Sequence, residues 1–251
     1  MWLSQFDLMN EAVRIVSAAK EQGIQLRMMG ACAIKFHSPT YRYLYDKLGR
    51  ELSDLDFVGY SKQEGIIGKF FLSQGYRMRP VTITTSFASR LIFIDDIRKK
   101  VVDVFLDKME MCHTLNYRGR LEIDFPTVPL AELLLQKLQI FTLTQKDVKD
   151  CLVLLREHNT ATNDDDSINV SYIAKIFAND WGFWYTATQN LQKIDSYMEK
   201  FLEGNDVEVV RHKVNELSSR IKDEPKSLGW KTRARIGTST KWYRDVDTME
   251  K

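Results

Sequence analysis

The sequence predicts an α/β (α+β) protein, with a mixed-sheet domain over residues 1–126 followed by an all-helical part over residues 127–251. Three observations predict it. Ahead of Pro126 the apolar residues alternate or run in β-branched blocks, as at 54–58 and 88–106, which is the two-residue period of a strand. Beyond Pro126 they recur at helical spacing. The 251 residues, 44% hydrophobic and 28% charged, are enough to bury a core in each part.

The elements follow in order. Residues 6–22 carry Phe6, Leu8, Met9, Val13, Ile15, Val16 and Ala19 as a helical stripe that Gly23 stops. Residues 24–29 read as a short strand ending at Gly30, and 31–36 as the first turns of a second helix. Ser38-Pro39-Thr40 breaks the pattern, and a tyrosine-rich, basic stretch runs to Arg50. Residues 54–58 alternate as a strand. Ser61 with Glu64 three residues on predicts a capping box for a helix over 62–73. Residues 88–106 predict a hairpin around the charged turn 95–100, and residues 117–125 a further strand or hairpin. Helices are expected over 130–141, 145–158, 170–177, 181–201 and 206–221, with an acidic loop at 163–167.

Composition excludes several classes. Thirty-six basic and thirty-four acidic residues leave a net charge of +2, which argues against a polyelectrolyte partner for the whole surface. Three cysteines, Cys32, Cys112 and Cys151, are far apart, so neither a zinc ribbon nor a disulfide framework is indicated. No apolar run reaches the ~18 residues of a membrane span. Glu11 and Arg14 interrupt any apolar run in residues 1–20, which read as an amphipathic helix and not as a leader. A reducing, cytoplasmic setting is the expectation.

The chemistry is expected at Gly30-Ala31, Asp54-Leu55-Asp56 and Asp103. Side chains two apart on a strand share a face, so Asp54 and Asp56 project together. Two such carboxylates repel unless a cation lies between them, and Mg²⁺ prefers hard oxygen ligands. Asp103 interrupts the run Val101-Val102-Asp103-Val104-Phe105, where an ionised group is costly without a partner. Three convergent carboxylates can hold a pair of Mg²⁺ ions for in-line phosphoryl displacement. A glycine at a strand-to-helix turn offers backbone N–H groups to phosphate oxygens.

In this order the residues resemble the polymerase-beta-like nucleotidyltransferase superfamily, with a small-residue pair opening a helix, an Asp-x-Asp on the next strand and a third Asp. Two stretches, MMGACAIKFH…GRELSDLDFV and PLAELLLQKLQIFTLTQKDVKDCLVLL, resemble the abortive-infection and toxin–antitoxin type within it; the likeness covers residues ~24–157. The resemblance implies a nucleotidyltransferase-like domain in which Asp54 and Asp56 ligate Mg²⁺ or Mn²⁺ and Asp103 is ligand and base. It implies Gly30, Ala31 and Lys137 at the nucleotide phosphates, with an NTP as substrate. The acceptor implied is a hydroxyl on tRNA, on a protein or on a small molecule, and an antitoxin partner follows by analogy. Two departures stand out. Ala31 replaces the usual Gly or Ser, and the segment from Gly30 to Asp54 is long, with Tyr41, Arg42, Tyr43, Tyr45 and Arg50 as candidate pocket residues.

The alternative is a nucleotide- or RNA-binding protein that keeps the scaffold without turnover; a third is a helical interaction protein with the first half as its platform. Asp147 and Asp150 read as a wet helical face, and Lys137 balances between a phosphate contact and a solvated residue. Residues 226–244 carry Lys226, Lys231, Arg233, Arg235, Lys241 and Arg244 with no acid, interleaved with Trp230, Trp242 and Tyr243. This tail either tracks RNA or docks its aromatics on the helical half. Trp181, Phe183, Trp184 and Tyr185 read as helix-packing core.

Overall fold

Six apolar residues of one helical face, Leu8, Met9, Ala12, Ile15, Val16 and Ala19, are buried and seat α1 (Gln5–Glu21). Gly23, at φ +71°, ends it in a conformation that glycine adopts without strain. The computed structural model describes residues 5–79 and 90–246, with side chains from Leu8 onward. Residues 1–4 of the expected amphipathic start, the Phe6 side chain, and Ala88 and Ser89 of the expected hairpin lie outside the described residues.

The chain divides into two units. The first comprises residues 1–39, 49–110 and 115–129, and the second residues 40–48, 111–114 and 130–251. In the first, β1 (Leu26–Met29) leads into α2 (Gly30–Phe36), and β2 (Leu55–Gly59) leads through a 3₁₀ turn into α4 (Glu64–Ser73). The edge strand β3 (Arg77–Met78), β4 (Arg90–Asp95) and β5 (Lys100–Leu106) follow. Five strands run in the order β1-β2-β5-β4-β3, and the short β6 (Lys108–Glu110) and β7 (Thr114–Asn116) extend the sheet to seven. Among these five strands the central β2–β5 pair is parallel and β1–β2, β5–β4 and β4–β3 are antiparallel, so the sheet is mixed, as the sequence predicts. Phe71 of α4 stacks on Phe93 of β4 at 4.5 Å and packs edge-on against Phe70 and Tyr76, which anchors the helix to the sheet.

The charged turn at 95–100 forms because Asp95 Oδ1 accepts from the backbone N–H groups of Ile97 and Arg98, while Asp95 and Lys100 close the β4–β5 ladder. Two local expectations fail. The Ser61 capping box does not form: α4 starts after Gln63 without a side-chain cap, and the Ser61 hydroxyl donates to Asp107 instead. Asp107 is buried and also receives the Ser61 N–H, so a tertiary acceptor outcompetes the local one. Residues 117–125 are turns, with Gly119 at φ +71°, and not a strand. Tyr117 and Leu121 are buried there without strand alternation.

The second unit is helical: α5 (Leu130–Leu138), α6 (Gln145–Glu157), α7 (Val170–Asn179), α8 (Trp181–Phe201), α9 (Asn205–Asp223) and α10 (Leu228–Ile236). Strands β8 (Thr160–Ala161) and β9 (Ile168–Asn169) flank the acidic loop. Side chains cap four of the helices. Thr144 and Asp147 form a capping box on α6, and Asn169, Asp180 and Ser227 cap α7, α8 and α10. The short α3 (Tyr43–Lys47), from the tyrosine-rich stretch, also belongs to this unit. Glu157 of α6 accepts the N–H groups of Thr40 and Tyr41, and Arg156 lies 4.0 Å over the Tyr41 ring. Tyr45 is fully buried, which assigns it to packing and not to a pocket wall.

Candidate active site

The sheet brings Gly30, Asp56 and Asp103 together. β1 ends at Met29, which pairs with Asp56 across the antiparallel ladder, and the chain turns there into α2. Gly30 takes φ +68° and presses against the Asp56 side chain so closely that a Cβ would lie 2.4 Å from Asp56 Oδ2. Only glycine meets both conditions, the left-handed backbone and the contact. On the other edge of β2, Asp56 is directly opposite Asp103 in the parallel register.

Exposure alternates from Asp54, one residue before β2, to Phe57, beyond which the strand is buried on both faces. Asp54 and Asp56 are half-buried, whereas Leu55 and Phe57 between and beyond them are buried in the core. Asp54 Oδ2 accepts from the neighbouring Ser53 hydroxyl at 2.8 Å, and its carbonyl receives the Cys32 thiol of α2. Cys32 is itself buried. The first turn of α2 bears no acidic residue, and Met29 before it supplies no capping side chain. Ala31 follows Gly30 at the same turn.

Asp103 is not alone in its buried run. Arg90 on the neighbouring strand β4 meets it with both arms of the guanidinium, Nε at 3.0 Å from Oδ1 and Nη2 at 2.5 Å from Oδ2. The two side chains are 20% and 13% exposed, a setting where a bidentate pair is strong. Arg90 also lies 5.1 Å over the Phe105 ring, its cross-strand neighbour. Sequence reasoning missed Arg90, because only the β4–β5 register shows that an arginine thirteen residues upstream faces Asp103.

Lys137 lies on α5 of the second unit. Its ammonium is 3.1 Å from Asp147 Oδ1 and 2.9 Å from Asp150 Oδ2. The solvated readings of these three residues are overturned: the Lys137 side chain is 11% exposed and Asp150 is fully buried. Burial alone would raise the Asp147 pKa, but the Lys137 charge and the Thr144 hydrogen bonds outweigh it and hold the group below its ordinary value. Alternating charge on this helix is an internal cluster because both α5 and α6 turn these positions inward.

The basic tail takes the docked form of its two readings. Trp230 meets Trp184 edge-on at 5.0 Å, and Trp242 packs against Phe141, Trp181 and Tyr185. Lys231, Arg235, Lys241 and Arg244 are exposed, whereas Arg233 lies 4.6 Å over the Trp181 ring and Lys226 donates to the carbonyls of Ile221, Lys222 and Glu224; α10 itself has no buried residue.

No protein-family model and no curated protein matches this sequence. Among solved structures, the chain is similar to the antibiotic-resistance factor ANT(2'')-Ia, whose solution structure aligns with a TM-score of 0.33 at 12% identity. The alignment covers 88% of this chain and 97% of that one.

Proposed function

We propose that this protein is a metal-dependent nucleotidyltransferase that moves a nucleoside monophosphate from an NTP to an acceptor hydroxyl. The observation that carries the reading is the meeting of Gly30, at the β1–α2 turn, with Asp56 and Asp103 on the adjacent strands β2 and β5, with Gly30 held to glycine by contact with the Asp56 carboxylate.

Asp54, Asp56 and Asp103 offer carboxylate oxygens, the donors that Mg²⁺ or Mn²⁺ accepts, but their oxygens do not all lie within 4.8 Å of one another, so holding an ion requires side-chain rotation and release of Arg90. Such an ion, bound to these carboxylates, would offset their mutual repulsion and the charge of a triphosphate. The turn at Gly30 and Ala31 is assigned to the phosphates, through backbone N–H groups, since neither side chain carries a donor. Asp103 is assigned the proton of the acceptor hydroxyl. For that it must release Arg90, whose guanidinium then faces the same negative cluster. Lys137 is not needed at the phosphates in this reading, because two carboxylates already offset its charge. Residues 226–244 suit an RNA acceptor among the candidate hydroxyls.

A second reading, nucleotide or RNA binding without turnover, is favoured by the Arg90–Asp103 pair, which engages both oxygens of the third carboxylate. The deciding experiment titrates Mg²⁺ and each of the four NTPs into wild type and into Asp54→Ala/Asp56→Ala by calorimetry. Binding that requires the metal and vanishes in the variant supports the site, and transfer of labelled nucleotide to tRNA, protein or small acceptors then separates enzyme from binder. No NTP binding by wild type with either metal would refute the enzyme reading.

A further inference from the structure

A second site is built at the end of the chain, within the helical unit. A cavity of about 330 Å³ is lined by residues from three distant stretches, among them His113, Asp180, Arg233 and the run Lys241-Trp242-Tyr243-Arg244. The last run is firmly seated. The Trp242 indole N–H donates to the Thr186 hydroxyl at 3.1 Å, and the Trp242 carbonyl lies so close to Gly182 of α8 that a Cβ there would come within 2.6 Å of it. The Arg244 N–H donates to the Cys112 carbonyl.

Both guanidiniums in the wall are fixed by neutral acceptors. Arg233 donates to the carbonyls of Gly237 and Thr240, and Arg244 to the Met111 carbonyl and the Thr114 hydroxyl. Among the described residues neither has a carboxylate within ion-pair reach. Lys241, by contrast, pairs with Asp245. Asp180, the one carboxylate in the lining, is committed to capping α8 through the Phe183 N–H. His113 adds no charge: burial holds its pKa down to about 4, so the imidazole is neutral and bonded to Thr186.

Two guanidiniums without a direct carboxylate partner, each held by neutral oxygen acceptors and Arg233 also 4.6 Å over the Trp181 ring, form a preorganised anion site, since the order is already imposed before any ligand arrives. Two charges call for a doubly charged ligand, and the planar arginine fork matches phosphate oxygens. The cavity exceeds the volume of one phosphate, and Trp242 and Tyr243 are among the residues that line it, which leaves room for the organic part of an ester. We propose that this cavity binds a phosphate ester through Arg233 and Arg244. The proposal does not depend on the nucleotidyl-transfer reading.

The test measures binding to the full chain by tryptophan fluorescence and by anisotropy of a labelled single-stranded RNA 12-mer, without divalent metal. Inorganic phosphate, AMP and citrate are the competitors. Wild type is expected to bind a phosphate ligand, with citrate at least tenfold weaker. Arg233→Gln/Arg244→Gln should lose at least tenfold, while Asp54→Ala/Asp56→Ala should bind as wild type. RNA binding that AMP displaces assigns a general phosphate site, whereas RNA binding that AMP leaves intact assigns a polynucleotide. AMP binding alone assigns a small ester. Should the double variant fail to fold, Lys241→Gln, an exposed change, should still weaken binding two- to fivefold and lower its salt dependence. The proposal is overturned if wild type binds neither RNA nor AMP, if citrate binds equally well, or if the variants retain full affinity.

Discussion

Replacing Gly30 with alanine tests the candidate site through stability. At φ +68° an alanine pays the left-handed penalty of ~1–2 kcal/mol. Its Cβ would also stand 2.4 Å from Asp56 Oδ2, about 1 Å inside ordinary contact. Asp56 cannot retreat with its backbone, because β2 is laddered to β1 on one side and β5 on the other. Its side chain must turn away, at an overpacking cost of ~1–3 kcal/mol. Gly30→Ala should therefore destabilise the protein by about 2–5 kcal/mol in urea denaturation. Gly23→Ala is the control: φ is +71° but nothing lies within 4 Å of its Cβ, so only the backbone part, ~1–2 kcal/mol, is expected. In an Asp56→Ala background the Oδ2 that the Cβ would meet is gone, and Gly30→Ala should fall to the Gly23→Ala value. Equal costs at positions 30 and 23, or an unchanged cost at 30 without the Asp56 carboxylate, would refute the contact on which the site is built.

The remaining predictions concern buried titratable groups. Lys137→Met leaves the fully buried Asp150 without its ammonium 2.9 Å away and should cost ~3–5 kcal/mol in the same assay, with Lys137→Met/Asp150→Leu recovering much of it. The same change should blunt the acid limb. The depressed Asp147 pKa contributes stability above its unfolded value near 3.8 that is lost as pH falls through the lower folded one, and Lys137 is a cause of that depression. His113, at about 4 in the folded protein against 6.5 in the unfolded chain, stays neutral while the unfolded chain takes up a proton. Stability should fall as pH drops from 6.5 toward 4, by up to ~3 kcal/mol, and His113→Gln should flatten that stretch of a pH–stability curve.

Much of the candidate site is legible in the residues because strand chemistry is local. Alternation at 54–58 predicts Asp54 and Asp56 on one face without reference to anything else, although β2 itself begins at Leu55, and Gly30 after an apolar run marks a strand-to-helix turn. Arg90 was not legible. Nothing within its own neighbourhood distinguishes it from a surface arginine, and only the antiparallel register aims it at Asp103. Asp147 and Asp150 misread for a related reason: helical spacing gives their angular position but not what faces it, and here Lys137 does. Ser61 had a sound local rule for capping α4 and lost to a buried carboxylate forty-six residues away.

The sequence by itself determined the class of each half, the order of its main elements and the carboxylates from which the functional reading is made. Those follow from periodicity and turn chemistry, which act over a few residues. The tertiary structure alone decided which groups share a charge. It placed Arg90 on Asp103, set Lys137 between two acids, and gathered Arg233 and Arg244 into one cavity whose single carboxylate, Asp180, caps a helix. The physical reason is that electrostatics depends on distance and burial in space, and both are set by strand register and helix packing between segments far apart in the chain.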